Sequence, residues 1–108
     1  MKLLLDENLP TKLKNSFSAN QEVHTVKDMD WIGVKNGELL RRMRGAHFDA
    51  LITIDKNLRY QQNPKTQNLK VFVLNAVNNK LSRLAPYVAR LEVVINKQDD
   101  GIVVVVDL

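Results

Sequence analysis

The chain has 108 residues, of which 44% are hydrophobic and 26% charged, no cysteine, and a formal net charge of +4 from sixteen Lys and Arg against twelve Asp and Glu. That length fits one domain, residues 1–108, and leaves no room for two; the composition is that of a soluble globular protein rather than a disordered or membrane-embedded one. Without cysteine there is neither a disulfide framework nor a thiolate zinc site, so a reducing cytoplasm is the expected compartment, while the excess of cations favours polyanionic partners only weakly.

The start, MKLLLDENLP, offers an apolar run of only Leu3 to Leu5 before Asp6 and Glu7, too short for a signal peptide or a spanning helix, and no membrane contact is expected. Lys2 to Leu5 reads as a first strand. Leu9, Leu13 and Phe17 then recur at helical spacing, with Asn8 as the N-cap and Pro10 in the first turn, so the strand is predicted to run straight into a helix. Glu22 to Val26 is a second strand, followed by an irregular stretch from Lys27 to Val34 that is long enough to be functional. A second helix from Asn36 presents Leu39, Leu40 and Met43 as its buried stripe and is predicted to end at Gly45.

Ala50 to Ile54 and Lys70 to Leu74 are the third and fourth strands, separated by a polar segment, Asn57 to Asn68, read as a helical turn and a loop. Leu81, Leu84, Val88 and Leu91 mark a last helix that Pro86 splits or kinks. Ile102 to Val106, after the turn signal Asp99-Asp100-Gly101, closes the sheet as an edge strand of either direction. Short apolar runs alternating with helical periodicity give the α/β class, with a mostly parallel sheet of four or five strands.

In such a sheet every parallel strand ends at the same edge, and ligands bind in the crevice outside those ends. Asp6 and Glu7 follow the first strand, Asp55 follows the third, and Glu38 lies in the first turn of the helix entered from the second. Carboxylates gathered without cations repel one another, so their convergence points to a divalent ion, and oxygen-only ligands select Mg²⁺ or Mn²⁺. An ion so held activates water and stabilises charge on a phosphodiester, which is the chemistry of a metal-dependent nuclease.

A plainer account competes at each position. An Asp after a strand also serves as a cap or turn former, and Glu38 and Glu7 also complement helix starts. The pair Asp6 and Asp55 is the stronger signal. Lys56, Arg59 and Tyr60 after Asp55, and Lys35 near Glu38, are candidates for substrate contacts, with Tyr60 or Trp31 stacking a base. Against this, Arg41, Arg42 and Arg44 also read as a solvated stripe and Trp31 as packing under its loop. Asp28 and Asp30 read as turn formers, Asp49 falls at the opposite edge, and His24 and His47 read as structural.

The segments LLLDENLP, DMDWIGVKNGELL and ALITIDKNLRYQQN, in that order, resemble the PIN-like nuclease domains, and more narrowly the short bacterial PIN-like proteins taken to be the toxin half of toxin–antitoxin pairs. The resemblance implies a three-layer α/β/α, Rossmann-like domain and a metal-dependent endoribonuclease. It further implies Asp6, Glu38 and Asp55 as ligands of Mg²⁺ or Mn²⁺, a cognate antitoxin protein, and homodimer formation. The chain departs from the family pattern at a usual fourth acid. The fourth predicted strand ends in Leu74-Asn75-Ala76, and no Asp or Glu occurs between Lys56 and Glu92, leaving Glu7, substrate phosphates or a partner chain to complete the ligand set. Two other classes stay open: a non-catalytic RNA- or protein-binding module, and a receiver-like domain that accepts a phosphoryl group on Asp55. In the latter, Asn75 and Asp107 stand roughly where Ser or Thr and Lys are expected.

Overall fold

The structure, a computed structural model, describes residues 1–55, 69–97 and 103–107. β1 (Lys2–Leu5) lies between β2 (Glu22–Thr25) and β3 (Ala50–Thr53), and β4 (Lys70–Asn75) and β5 (Val103–Asp107) extend the sheet beyond β3. Every neighbouring pair is parallel, so the strand order is β2-β1-β3-β4-β5 and all five strands end at one edge. The register brings Leu5 beside both Thr25 and Ile52, Thr53 beside Val73, and Asn75 beside Asp107. The last strand therefore runs parallel to β4, a direction its run of valines leaves undetermined.

β1, β3 and β4 read as nearly unbroken apolar runs because the sheet buries their side chains on both faces, whereas β2, Glu-Val-His-Thr, lies at the edge with only Thr25 buried. Side chains alternate across a strand, so Leu3, Leu5, Ala50, Ile52, Phe72 and Leu74 belong to one core cluster and Leu4, Leu51, Val71 and Val73 to another. α1 (Asn36–Gly45) contributes Leu39, Leu40 and Met43 to the second cluster. The first cluster takes Leu84 from α2 (Leu81–Leu84) and Val88, Leu91 and Ile95 from α3 (Val88–Lys97). As expected, Pro86 interrupts this last helical segment, in a 3-10 turn over Ala85–Tyr87. Among the described residues no helix is long and apolar enough to cross a membrane.

Several local expectations need correction. The element after β1 is a 3-10 helix, Thr11–Ser16, not an α-helix starting from an Asn8 cap. Leu13 is its only buried residue, too little anchorage to offset helix nucleation in a segment of Thr, Lys, Asn and Ser. Pro10 occupies the boundary position instead, in extended geometry, and the Asn8 Oδ1 is buried with no hydrogen-bond partner among the described residues. Gly45 is the last residue of α1 but does not reverse the chain; His47 does, at φ 64, which lets the Phe48 N–H reach the Met43 carbonyl at 2.9 Å.

β2 and β3 each stop one residue before the expected end, at threonines whose hydroxyls accept the amide of the following turn: Asp28 N–H on Thr25 at 3.0 Å and Asp55 N–H on Thr53 at 3.0 Å. β4 runs one residue further than expected, because Asn75 still pairs with Asp107, and β5 is displaced by one residue to Val103–Asp107. The helical turn expected within Asn57 to Asn68 lies outside the described residues.

Candidate active site

β1 connects outward to β2 on one side, whereas β3, β4 and β5 build outward on the other, so the winding reverses between β1 and β3. Crevices at such reversals are where open α/β sheets bind ligands. Asp6 leaves the end of β1 there, with its amide donating to the Ile52 carbonyl of β3 at 2.9 Å. Asp55 leaves the end of β3 two residues beyond Thr53.

The Asp6 side chain is only 8% exposed. Its Oδ2 accepts the Thr53 hydroxyl at 2.7 Å and its Oδ1 accepts the Glu7 amide at 2.9 Å. Burial pushes the Asp6 carboxyl above the usual Asp range, the two hydrogen bonds pull it back, and the charges of Glu7 and Asp55 push it up again. Asp6 is thus a desolvated carboxyl within the field of two further acids, Glu7 and Asp55.

Thr53, fully buried, is the hinge of this arrangement: its hydroxyl donates to Asp6 and accepts from the Asp55 amide. Sequence reasoning missed it. The available signal was one hydroxyl in the run Ala-Leu-Ile-Thr-Ile, two residues before Asp55 and so on the same strand face.

The other candidates divide. Glu38 is in the first turn of α1 as expected, but its carboxylate is engaged by Arg41 at 2.7 Å and Arg42 at 3.5 Å, and the hydrogen bond and charge of Arg41, then Arg42, hold it below the usual Glu range. Among the described residues no three His, Asp or Glu side chains stand close enough together to share an ion. Glu7 is exposed beside Asp6, and Lys35 is exposed at the start of α1. Lys56, Arg59 and Tyr60 lie outside the described residues. Asn75, at the end of β4, donates to Asp107 of β5 at 2.7 Å.

Trp31 packs rather than projects: it lies against the second core cluster with its ring 6.0 Å from that of Phe48. Asp28 closes the turn after β2, where the Thr25 amide first and Lys14 second hold its carboxyl below the usual range. His24 pairs with Glu22 at 2.8 Å, and Asp49 accepts the Lys2 amide at 2.7 Å, at the far edge of the sheet as expected.

A cavity of about 240 Å³ opens beside the buried acid, bordered by Asp6, Glu7, Leu9, Thr11, Lys27 and the exposed Ile32. Mg²⁺ is commonly held through one or two carboxylates, keeping several waters and adding substrate phosphates, and the donors at these strand ends, Asp6 with Glu7 beside it and Asp55, are oxygens of the type such an ion takes. Comparison of the chain with protein-family models, with curated proteins and with solved structures returns no match.

Proposed function

We propose that the protein is a metal-dependent endoribonuclease of three-layer, PIN-like architecture. The observation that carries this reading is the buried Asp6 carboxylate at the switch point, tied through Thr53 to Asp55 and crowded by like charge. An anion kept in that setting is most stable when a cation sits against it. Asp6 and Asp55 would hold Mg²⁺ or Mn²⁺ with Glu7 beside them, and Glu38, engaged by Arg41 and Arg42, would have to leave those partners to join the ion. When bound, the ion supplies an activated water and a positive charge to offset that building on the phosphodiester.

The chain's own groups do the rest. Thr53 holds the carboxylate of Asp6 and the backbone amide of Asp55, linking the two strand ends through one hydroxyl. Lys27, which borders the same cavity, brings a cation to a phosphate entering it, and Lys35 at the start of α1 is a further candidate for a substrate contact. Lys56, Arg59 and Tyr60 remain the candidates for further substrate contacts after Asp55. The resemblance of the three sequence segments supports a cytoplasmic toxin, blocked by a cognate antitoxin protein and forming a homodimer.

One observation favours a second reading. The order β2-β1-β3-β4-β5 is the flavodoxin-like one that receiver domains share. In that reading Asp55 accepts a phosphoryl group, yet β5 ends in Asp107 where a cation is needed to pair with it. Incubating the protein with single-stranded and structured RNAs in Mg²⁺, Mn²⁺ or EDTA, beside an identically purified Asp6→Asn variant, separates the classes. The nuclease reading expects cleavage that needs metal and disappears with the variant. RNA bound but uncut in every metal points to a binding module, and phosphate on Asp55 after exposure to a small phosphodonor points to a receiver.

A further inference from the structure

Next to the cavity at Asp6 runs a second, open groove of about 350 Å³ between the Thr11–Ser16 helix and the end of β2, bordered by the cations Lys12, Lys14 and Lys27, by Thr11, Asn15 and Thr25, and by Asp28. The two spaces share Thr11, Thr25 and Lys27 in their walls, with Asp6 and Glu7 lining the one and Lys12 and Lys14, with Asp28, lining the other. Of its three ammonium groups, that of Lys14 is held by Asp28 at 3.0 Å, whereas those of Lys12 and Lys27 have no hydrogen-bond or ion-pair partner among the described residues. Thr11 and Asn15 add neutral donors, and no aromatic ring borders the groove.

We propose that this groove is the track for the sugar-phosphate backbone of single-stranded RNA flanking the bond to be cut, with Lys12 and Lys27 each contacting a phosphate. The proposal rests on the nuclease reading of the cavity at Asp6. Its logic is that of charge and shape: cations with hydroxyl and amide donors suit phosphate oxygens, and the lack of any stacking surface means that this segment is gripped by its backbone and not read by its bases. Lys27, bordering both spaces, takes the phosphate nearest the acids, and Lys12 one further along the strand. Lys12 and Lys14 are distant from Lys27 in sequence and meet here only because the chain crosses from β1 to β2 over the 3-10 helix.

The test is fluorescence anisotropy of a short labelled single-stranded RNA, titrated in EDTA so that metal-dependent cleavage cannot intervene, over a series of salt concentrations. The proteins are the wild type, Lys12→Ala/Lys27→Ala, the charge-keeping Lys12→Arg/Lys27→Arg, and Arg90→Ala/Lys97→Ala, which removes two exposed cations of α3 away from the groove. Thermal melts confirm that each variant folds. The groove variant is expected to lose about tenfold in affinity, and its plot of log K against log salt to flatten by about 1.4, because each phosphate contact on a single strand releases about 0.7 counterion. The arginine pair retains binding and the α3 pair matches the wild type. Equal losses in the groove and α3 variants, wild-type binding by the groove variant, or no binding by the wild type overturns the proposal. Absence of cleavage of the same RNA in Mn²⁺ would instead count against the nuclease reading, so the two failures are told apart.

Discussion

Replacing Asp6 by Asn isolates the physical claim on which the site rests. The amide has the volume of the carboxylate, its oxygen can still accept the Glu7 amide, and its NH₂ can donate to the Thr53 hydroxyl, so both hydrogen bonds of Asp6 survive in altered form. What is lost is a buried negative charge beside Glu7 and Asp55. Desolvation of a buried polar group costs about 1–3 kcal/mol, and more when it is charged, while the hydrogen bonds return part of it. A net gain on the order of 1 kcal/mol is expected for the metal-free variant at neutral pH, about 4 °C in Tm for a domain of this size.

The pH dependence has a definite sign. The folded-state pKa of Asp6 is raised above that of the unfolded chain, so the wild type is unpenalised below the unfolded value and loses stability as pH rises through the folded one. The advantage of Asn should vanish in acid and reach a plateau near neutrality. Mn²⁺ should reverse the order: a ligand at a hundred times its Kd stabilises the wild type by about 2.7 kcal/mol and leaves the variant unmoved. Melts of both proteins across pH, in EDTA and in Mn²⁺, measure this. A metal-free variant less stable than the wild type at neutral pH, or equal Mn²⁺ shifts in the two, refutes the reasoning.

Thr53→Val removes the donor to Asp6 and the acceptor for the Asp55 amide without changing shape, so calorimetric titration should show Mn²⁺ affinity down about 10–100-fold and denaturant melts a loss of about 1–3 kcal/mol. Glu38→Gln should leave the melting curve nearly unchanged, its arginine pair being on the surface, while lowering the cleavage rate about 10–100-fold if the side chain joins the ion; an unchanged rate removes Glu38 from the ligand set. Met43→Ala, at a fully buried position of α1, should cost about 2–5 kcal/mol in chemical denaturation. Glu92 accepts the Ser18 amide at 2.6 Å and its hydroxyl at 2.8 Å, tying the approach to β2 onto α3, so Glu92→Ala should lower stability by about 1 kcal/mol in the same assay.

The middle of the sheet was legible because burial on both faces forces a strand to be an apolar run of the right length, and Leu3 to Leu5, Ala50 to Thr53 and Lys70 to Leu74 are such runs. The direction of β5 was not, since a run of valines suits either pairing and only the helical crossover from β4 decides. Leu9, Leu13 and Phe17 have helical spacing, but a 3-10 helix holding one of them satisfies the core equally well. At the site, Asp6 and Asp55 could be found because an acid directly after a parallel strand can sit only at one edge. Thr53 could not, because a β-branched residue in a strand needs no further explanation. The arginines that engage Glu38 stand at i+3 and i+4, the spacing at which helix side chains pair. Lys12 and Lys27 were invisible as a pair, their meeting being a property of topology alone.

The most direct test of the central claim is the chemistry of the ends left on RNA cut in Mn²⁺ by the wild type and by Asp55→Asn. Hydrolysis by an attacking water, at a site built from Asp6 and Asp55, predicts fragments free of 2′,3′-cyclic phosphate and no fragments from the variant. Cyclic phosphate ends, which require attack by the neighbouring 2′-hydroxyl, or undiminished cutting by Asp55→Asn, would contradict it.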